Sequence, residues 1–138
     1  MRWRTTVDRA VAPLGLTHAQ YAVLASLAGM TQAGESPSQR ALADHTGLEP
    51  IYVSKLIGAL DSAGLVSRSR DPNDSRAMRL ALTPRGSEVA SEAIGVVARL
   101  HQELLAPLGG TDTPRARSFA RTLAALLDAA TDTTGDRP

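Results

Sequence analysis

The feature that most constrains the fold is a change of hydrophobic period near Gly64. Before it, apolar residues recur at helical spacing in two short blocks separated by Gly47. After it the period is two: Val66, Arg68 and Arg70 alternate with Leu65, Ser67 and Ser69, and, beyond the polar stretch 71–74, Met78, Leu80 and Leu82 alternate with Arg79, Ala81 and Thr83. Helical spacing indicates amphipathic helices, and alternation around a polar tip indicates a β-hairpin. The order helix, turn, helix, hairpin allows few architectures.

Local signals place the ends of the two short helices. Ser36, Pro37 and Gln39 provide a cap, a first-turn proline and a capping-box residue, which predicts that the first helix starts at Ser36. Gly47 suits a left-handed turn, and Pro50 restarts the chain. This pattern predicts a mostly α (α+β) winged helix-turn-helix fold. The alternative is an αα-hairpin in which the glycine merely ends a helix.

Helices are predicted on both sides of this segment. Thr17 and Gln20 form a capping-box pattern that predicts a helix over residues 17–30, after a short first helix that ends near Pro13. Caps at Thr83 and Thr113 predict two further helices. We interpret 1–138 as a single domain with N-terminal helices (1–35), a winged module (36–86), C-terminal helices (87–130) and a flexible polar tail (131–138).

Composition argues against several classes of function. The 138 residues include no cysteine, no histidine pair at zinc spacing and no glycine-rich phosphate loop. We therefore expect no metal, no cofactor and no enzymatic activity. The apolar runs are too short to span a membrane, and the N-terminus lacks the apolar stretch of a signal peptide, so the expected location is the cytoplasm.

The positive charge is concentrated in the middle of the chain. The net charge is only +1, but residues 65–85 contain five arginines against two acidic residues. Such a segment suits a surface that faces phosphates, although an ordinary solvated hairpin has the same composition.

Two groups of residues are the candidate DNA contacts. In the second short helix, Ile51, Tyr52, Ser54 and Lys55 are the residues expected to reach bases, sugars or phosphates in a major groove. At the preceding helix start, Ser38 and Gln39 can contact a phosphate, and simple capping is the alternative role.

The predicted hairpin supplies the remaining candidates. Arg70 and Arg76 are cations of a wing that can enter a minor groove. Asp74 lies two residues before Arg76, where its carboxylate can hold the guanidinium in a bidentate pair. The alternative for that pair is a surface ion pair that contributes about 0 to 1 kcal/mol.

Together these features resemble the MarR family of bacterial transcriptional regulators over nearly the whole chain. The resemblance is carried by Gly15-Leu16-Thr17-x-x-Gln20-Tyr21-x-Val23-Leu24, Ala41-Leu42-Ala43 with Gly47, Val53-Ser54-Lys55-Leu56, Gly64-Leu65-Val66-x-Arg68, Asp74-Ser75-Arg76 and Leu82-Thr83-Pro84-x-Gly86. It implies a homodimer joined by the N- and C-terminal helices. Each protomer would bind half of a pseudo-palindromic operator in double-stranded DNA, with repression as the expected outcome.

The resemblance also implies residue roles. The family's wing acid and wing arginine fall on Asp74 and Arg76, and its recognition-helix contacts fall around Tyr52, Ser54 and Lys55. Many members release DNA when a small aromatic or phenolic molecule binds.

The candidate groups for such an effector are Arg9, His18 and Tyr21, with an exposed first-turn histidine and a core tyrosine as the alternative. The rival function is a non-enzymatic adaptor that uses its wing to bind a protein.

Overall fold

The computed structural model describes residues 2–74, 76–110 and 112–134. Over those residues the chain forms six α-helices, two 3-10 turns and one antiparallel pair of strands. In chain order the elements are α1 (Arg2–Val11), α2 (His18–Gln32), α3 (Gln39–Thr46), α4 (Pro50–Ser62), β1 (Val66–Arg70), β2 (Met78–Leu82), α5 (Pro84–Leu104) and α6 (Pro114–Thr134). The predicted mostly helical class and the order helix, turn, helix, hairpin are confirmed. No helix in the described ranges is long and apolar enough to cross a membrane.

The chain forms two compact units, one ending at Val97 and the other beginning at Ala98. In the first unit α2 packs against both α3 and α4, and the hairpin packs against all three helices through β1 or β2. The core consists of aliphatic side chains that are at most 1% exposed, including Val11, Val23, Leu24, Leu27, Leu42, Val53, Ile57, Leu60, Val66 and Leu80. The two short helices are therefore held on one scaffold.

Helix α2 begins as predicted. The Thr17 hydroxyl accepts a hydrogen bond from the Gln20 N–H at 3.2 Å, and the Gln20 side chain accepts one from the Thr17 N–H at 3.0 Å. This reciprocal pair satisfies two amide groups that have no partner within the helix.

The predicted start of α3 at Ser36 is wrong by two residues. Ser38 is the cap, and its hydroxyl accepts from the Ala41 N–H at 3.1 Å. Pro37 and Ser38 instead run alongside β2, because the Pro37 carbonyl accepts from the Leu80 N–H at 2.9 Å. A contact between residues far apart in the sequence thus decided between two serines that are equally good caps.

The turn between α3 and α4 has the predicted conformation. Gly47 adopts a left-handed φ of 70°, and its N–H donates to the Ala43 carbonyl at 2.9 Å. Ala43 is only 2% exposed, so its small side chain lies within the contact between the helices. An αα-hairpin alone does not describe this module, since α4 leads directly into the β-hairpin.

The junction between the hairpin and α5 depends on a close backbone approach. The Thr83 N–H donates to the Leu65 carbonyl at 3.1 Å, and the Thr83 hydroxyl donates to the Gly64 carbonyl at 2.6 Å. An added Cβ at Gly86 would lie 1.8 Å from the Leu65 carbonyl oxygen. Only glycine fits at this position.

The second unit contains the end of α5, a 3-10 turn and α6. The Thr113 hydroxyl caps α6 by accepting from the Ala116 N–H at 3.2 Å. Beyond the buried Ala116, Phe119, Leu123 and Leu126 are 51%, 45% and 64% exposed. Helix α6 continues to Thr134, so the first four residues of the predicted tail 131–138 are helical. The first residue that disfavours a helix is Gly135, which with 136–138 lies outside the described residues.

Candidate nucleic-acid interface

Helix α4 presents large apolar side chains to solvent at its N-terminal end. Ile51 is 76% exposed and Tyr52 is 44% exposed, whereas Val53 is fully buried. Pro50 occupies the first turn, where its missing N–H costs no intrahelical bond. Exposed apolar residues beside a proline-started turn suit contact with a base edge, a thymine methyl group or a sugar.

Ser54 and Lys55 extend this exposed face. At 100° per residue they lie on the same side of α4 as Ile51, opposite the buried Val53 and Leu60. Lys55 is exposed and Ser54 is half-buried. The four residues predicted for the recognition helix therefore lie on or beside one accessible surface.

The start of α3 borders the same surface. The Ser38 hydroxyl caps the helix, so the capping role weighed as an alternative is present. That hydroxyl accepts from Ala41 and keeps its own proton free to be donated, so capping does not exclude a phosphate contact. Gln39 follows it and is half-buried.

The wing differs from prediction in one contact. Asp74 forms no ion pair with Arg76 within the described part of the chain; its Oδ1 accepts from the Arg76 backbone N–H at 3.0 Å. The Asp74 carbonyl also accepts from the Ala77 N–H at 3.0 Å. An aspartate in a tight turn bonds readily to the backbone N–H two residues ahead. The Asp74 carboxylate therefore bonds to the backbone of Arg76 and not to its guanidinium. The Arg76 side chain remains exposed.

A surface groove joins the wing to the two short helices. It has a volume of about 630 Å³ and is lined by Ser38, Gln39, Arg40, Pro50, Asp74, Arg76, Ala77 and Met78. We call it the wing groove. Four predicted site residues thus come together in the groove: Ser38 and Gln39 from the start of α3, and Asp74 and Arg76 from the wing, 35 or more positions later in the sequence. Arg70 pairs with Met78 at the end of β1 and is exposed, but does not line the groove.

Arg40 was not among the predicted site residues. It lies in the first turn of α3, is exposed and lines the wing groove. A cation there is unfavourable with respect to the helix dipole. An arginine at a position where the helix dipole disfavours a cation could have marked Arg40 as a candidate site residue from the sequence alone.

Two ion pairs among the described residues involve arginines of the hairpin. Arg68 on β1 pairs with Asp61 at the end of α4 at 3.0 Å, with both side chains more than a third exposed. Arg79 on β2 pairs with Asp71 at 2.9 Å, and its Nη1 also donates to the Ser36 carbonyl at 2.6 Å. The Asn73 N–H, which donates to Asp71 at 2.8 Å, and the Arg79 guanidinium lower the pKa of Asp71 below its ordinary value. Asp71 is therefore ionised at neutral pH.

The residues predicted to bind an effector come from two neighbouring helices. The His18 N–H donates to Asp8 Oδ1 at 2.5 Å, which holds the start of α2 beside the residue that precedes Arg9. Arg9 is exposed, and His18 and Tyr21 are half-buried. Burial raises the pKa of the Tyr21 hydroxyl, so it stays protonated at neutral pH. None of the three lines the wing groove.

Comparison with known proteins agrees with this arrangement. A model of the MarR family matches residues 14–77. The chain is 32% identical over 125 residues to the HTH-type transcriptional repressor Rv2887 of Mycobacterium tuberculosis, covering 89% of this chain and 84% of that protein. The chain belongs to the MarR family. Members of this family are transcriptional regulators, which confirms the prediction of a non-enzymatic protein.

Similarities to further transcriptional regulators extend the comparison. The chain is 33% identical over 104 residues to the uncharacterized HTH-type transcriptional regulator YdcH of Bacillus subtilis, covering 75% and 71% of the two chains. The regulator PcaV of Streptomyces coelicolor, solved with its natural ligand, superposes with a TM-score of 0.71 at 30% identity over 83% of this chain and 77% of PcaV. The regulator MOSR of M. tuberculosis, solved with DNA, gives 0.70 at 26% identity over 94% and 90%.

Proposed function

We propose that this MarR-family chain binds a pseudo-palindromic operator in double-stranded DNA as a homodimer and represses transcription. The observation that carries the proposal is the wing groove, which unites the start of α3, the start of α4 and Arg76. Two exposed arginines, Arg40 and Arg76, lie beside the N-terminus of α3 in that groove. That combination suits a phosphate backbone.

Each part of the surface has a proposed role. Helix α4 enters the major groove, where Ser54 and Lys55 reach base edges or phosphates and Ile51 contacts a thymine methyl group. Tyr52 packs on the sugar beside them. The wing places Arg76 over a narrow minor groove, where the negative electrostatic potential is highest. Ser38, Gln39 and Arg40 contact the intervening phosphates.

The homodimer is proposed from the second unit. Phe119, Leu123, Leu126 and Leu104 leave large apolar areas exposed within that unit. Removal of such apolar area from water stabilises an association by about 25 cal/mol per Å². We therefore propose that a second copy of the chain packs against these side chains. In this scheme the helices of residues 1–35 and 87–130 form the dimer side of the single domain.

Repression and its release are proposed by analogy with relatives. Rv2887 is described as a repressor, and PcaV was solved with a natural ligand. We propose that an aromatic carboxylate or phenol binds near Arg9, His18 and Tyr21 in the cytoplasm. Arg9 would pair with the anionic group, while the two rings would contact the apolar part of the molecule.

The direct test is selection of bound genomic fragments from the source organism with the purified full-length chain. Fluorescence anisotropy at low salt then measures the affinity of the selected duplex. The proposal predicts two protected half-sites about one helical turn apart and a steep loss of affinity with salt. If no duplex binds at low salt while the dimer is intact, the proposed function is wrong.

A further inference from the structure

We propose that Asp71 and Arg79 are positioning residues for DNA binding, which hold the wing so that Arg76 faces the start of α3. This role rests on the proposed function and adds two residues that were not assigned to the interface. We call Asp71, Arg79 and the Ser36 carbonyl the wing clamp.

The Arg79 guanidinium joins two segments that are far apart in the sequence. Its Nε donates to Asp71 Oδ2 at 2.9 Å, where the wing leaves β1. Its Nη1 donates to the Ser36 carbonyl at 2.6 Å, 43 residues earlier and two residues before the cap of α3. One planar group thus holds the wing and the segment that enters α3 in a fixed relation.

Backbone contacts run parallel to this side-chain bridge. Ser38 and Arg79 form an isolated antiparallel bridge, and the Leu80 N–H donates to the Pro37 carbonyl at 2.9 Å. The segment before α3 therefore extends the hairpin along β2. Ser38 and Met78, which both line the wing groove, lie next to these bonds, so a change at Arg79 acts on the lining of the groove.

The two carboxylate oxygens of Asp71 have different partners. Oδ1 accepts from the Asn73 N–H at 2.8 Å and shapes the wing tip, while Oδ2 holds Arg79. The Asp71 N–H also donates to the Ala77 carbonyl at 3.0 Å and closes the tip, in which Arg76 lies. The Asp71 side chain is only 12% exposed, against 40% for Asp61 in the other ion pair. A half-buried carboxylate with two partners restricts the wing more than an exposed pair does.

These partners predict the effect of a near-isosteric change. The amide of Asp71→Asn has one oxygen for two N–H donors, so its NH2 must face either Asn73 or Arg79. The charge change alone would strengthen DNA binding, because it removes a negative charge beside a phosphate surface. If the wing instead loses its fixed position, DNA binding becomes weaker. The change in charge and the loss of positioning therefore predict opposite changes in affinity.

The experiment measures duplex affinity by fluorescence anisotropy for the full-length wild type, Asp71→Asn, Arg79→Lys and the control Asp61→Asn. Asp61→Asn also breaks an ion pair between a carboxylate and a wing arginine, with the same change in net charge. We expect Asp71→Asn and Arg79→Lys to bind DNA about tenfold more weakly than the wild type, a loss typical of residues that share one hydrogen-bond network. Asp61→Asn should bind at least as tightly as the wild type. Arg79→Lys keeps the charge but replaces the two separate donor atoms, Nε and Nη1, with a single nitrogen.

A second measurement separates positioning from a general loss of folding. In an Arg76→Ala background the loss caused by Asp71→Asn should fall to less than about twofold, because the side chain it positions is absent. A full tenfold loss in that background would overturn the clamp, as would unchanged affinity in both clamp variants when the wild type binds. Failure of the wild type to bind any duplex would overturn the proposed function and this role together.

Discussion

Replacement of Gly86 by alanine tests the packing that joins the hairpin to α5. A Cβ at this position would lie 1.8 Å from the Leu65 carbonyl oxygen and 2.8 Å from its carbon. Both atoms belong to the backbone, so no side-chain rotation relieves the clash. The start of α5 must move away by about 1.2 Å to reach even the 3.0 Å that real contacts respect.

The displacement of α5 determines how far Gly86→Ala lowers the free energy of unfolding. It breaks the bonds from the Thr83 N–H to Leu65 and from the Thr83 hydroxyl to Gly64, each of which contributes about 1 kcal/mol. Residual strain in a packed core adds about 1 to 3 kcal/mol. The better helix propensity of alanine returns about 1 kcal/mol, so the net loss in the free energy of unfolding is about 2 to 4 kcal/mol.

The assay is urea unfolding followed by circular dichroism at one fixed protein concentration. Gly95→Ala is the matched control, because it lies in the same helix and nothing is within 4 Å of its added Cβ. We expect that control to stabilise the protein by about 0.5 to 1 kcal/mol. If Gly86→Ala changes the free energy of unfolding by less than about 1 kcal/mol, the close approach to Leu65 does not constrain the fold as described.

Three further predictions concern other parts of the chain. Ser38→Ala should lower the free energy of unfolding by about 1 kcal/mol in urea, and Ser38→Gly by only a few tenths, because glycine is a tolerable cap; equal losses would refute the capping role. Leu123→Glu should convert the dimer to a monomer in light scattering, whereas Arg121→Glu, on the opposite face of α6, should not; a Leu123→Glu dimer would contradict the proposed interface. Asp71 has a lowered pKa in the folded state, so its stabilising contribution is present above the carboxyl's ordinary pKa of about 3.9 and is lost as the pH falls through the folded value. Acid titration of stability should therefore be shallower in Asp71→Asn, and identical titration curves would contradict this assignment.

The helices and the hairpin could be predicted because their signals are local. Thr17 with Gln20, Gly47 and the alternation after Gly64 each specify a conformation through neighbours within four residues. Such signals remain valid when the rest of the chain is unknown.

The structure differs from the sequence-based predictions where a contact between distant residues, or a competing local hydrogen bond, determines the conformation. Ser36 and Ser38 are equally good caps, and only the pairing of Pro37 with Leu80 selects the second. Asp74 could reach either the guanidinium or the backbone of Arg76, and the turn favours the backbone. Asp71 and Arg79, eight residues apart, became a candidate pair only when the hairpin register was known.

The most direct test of DNA binding is the salt dependence of affinity for the selected duplex, measured for the wild type and Arg76→Ala. The wild type should lose affinity steeply as salt rises, because each phosphate it neutralises contributes about −0.9 to the slope of log affinity against log salt. Arg76→Ala, with its dimer intact, should bind more weakly at every salt concentration and with a slope reduced by about 1. Wild-type affinity and slope in Arg76→Ala would contradict the placement of the wing on DNA, and a wild type that binds no duplex at low salt would contradict the central claim.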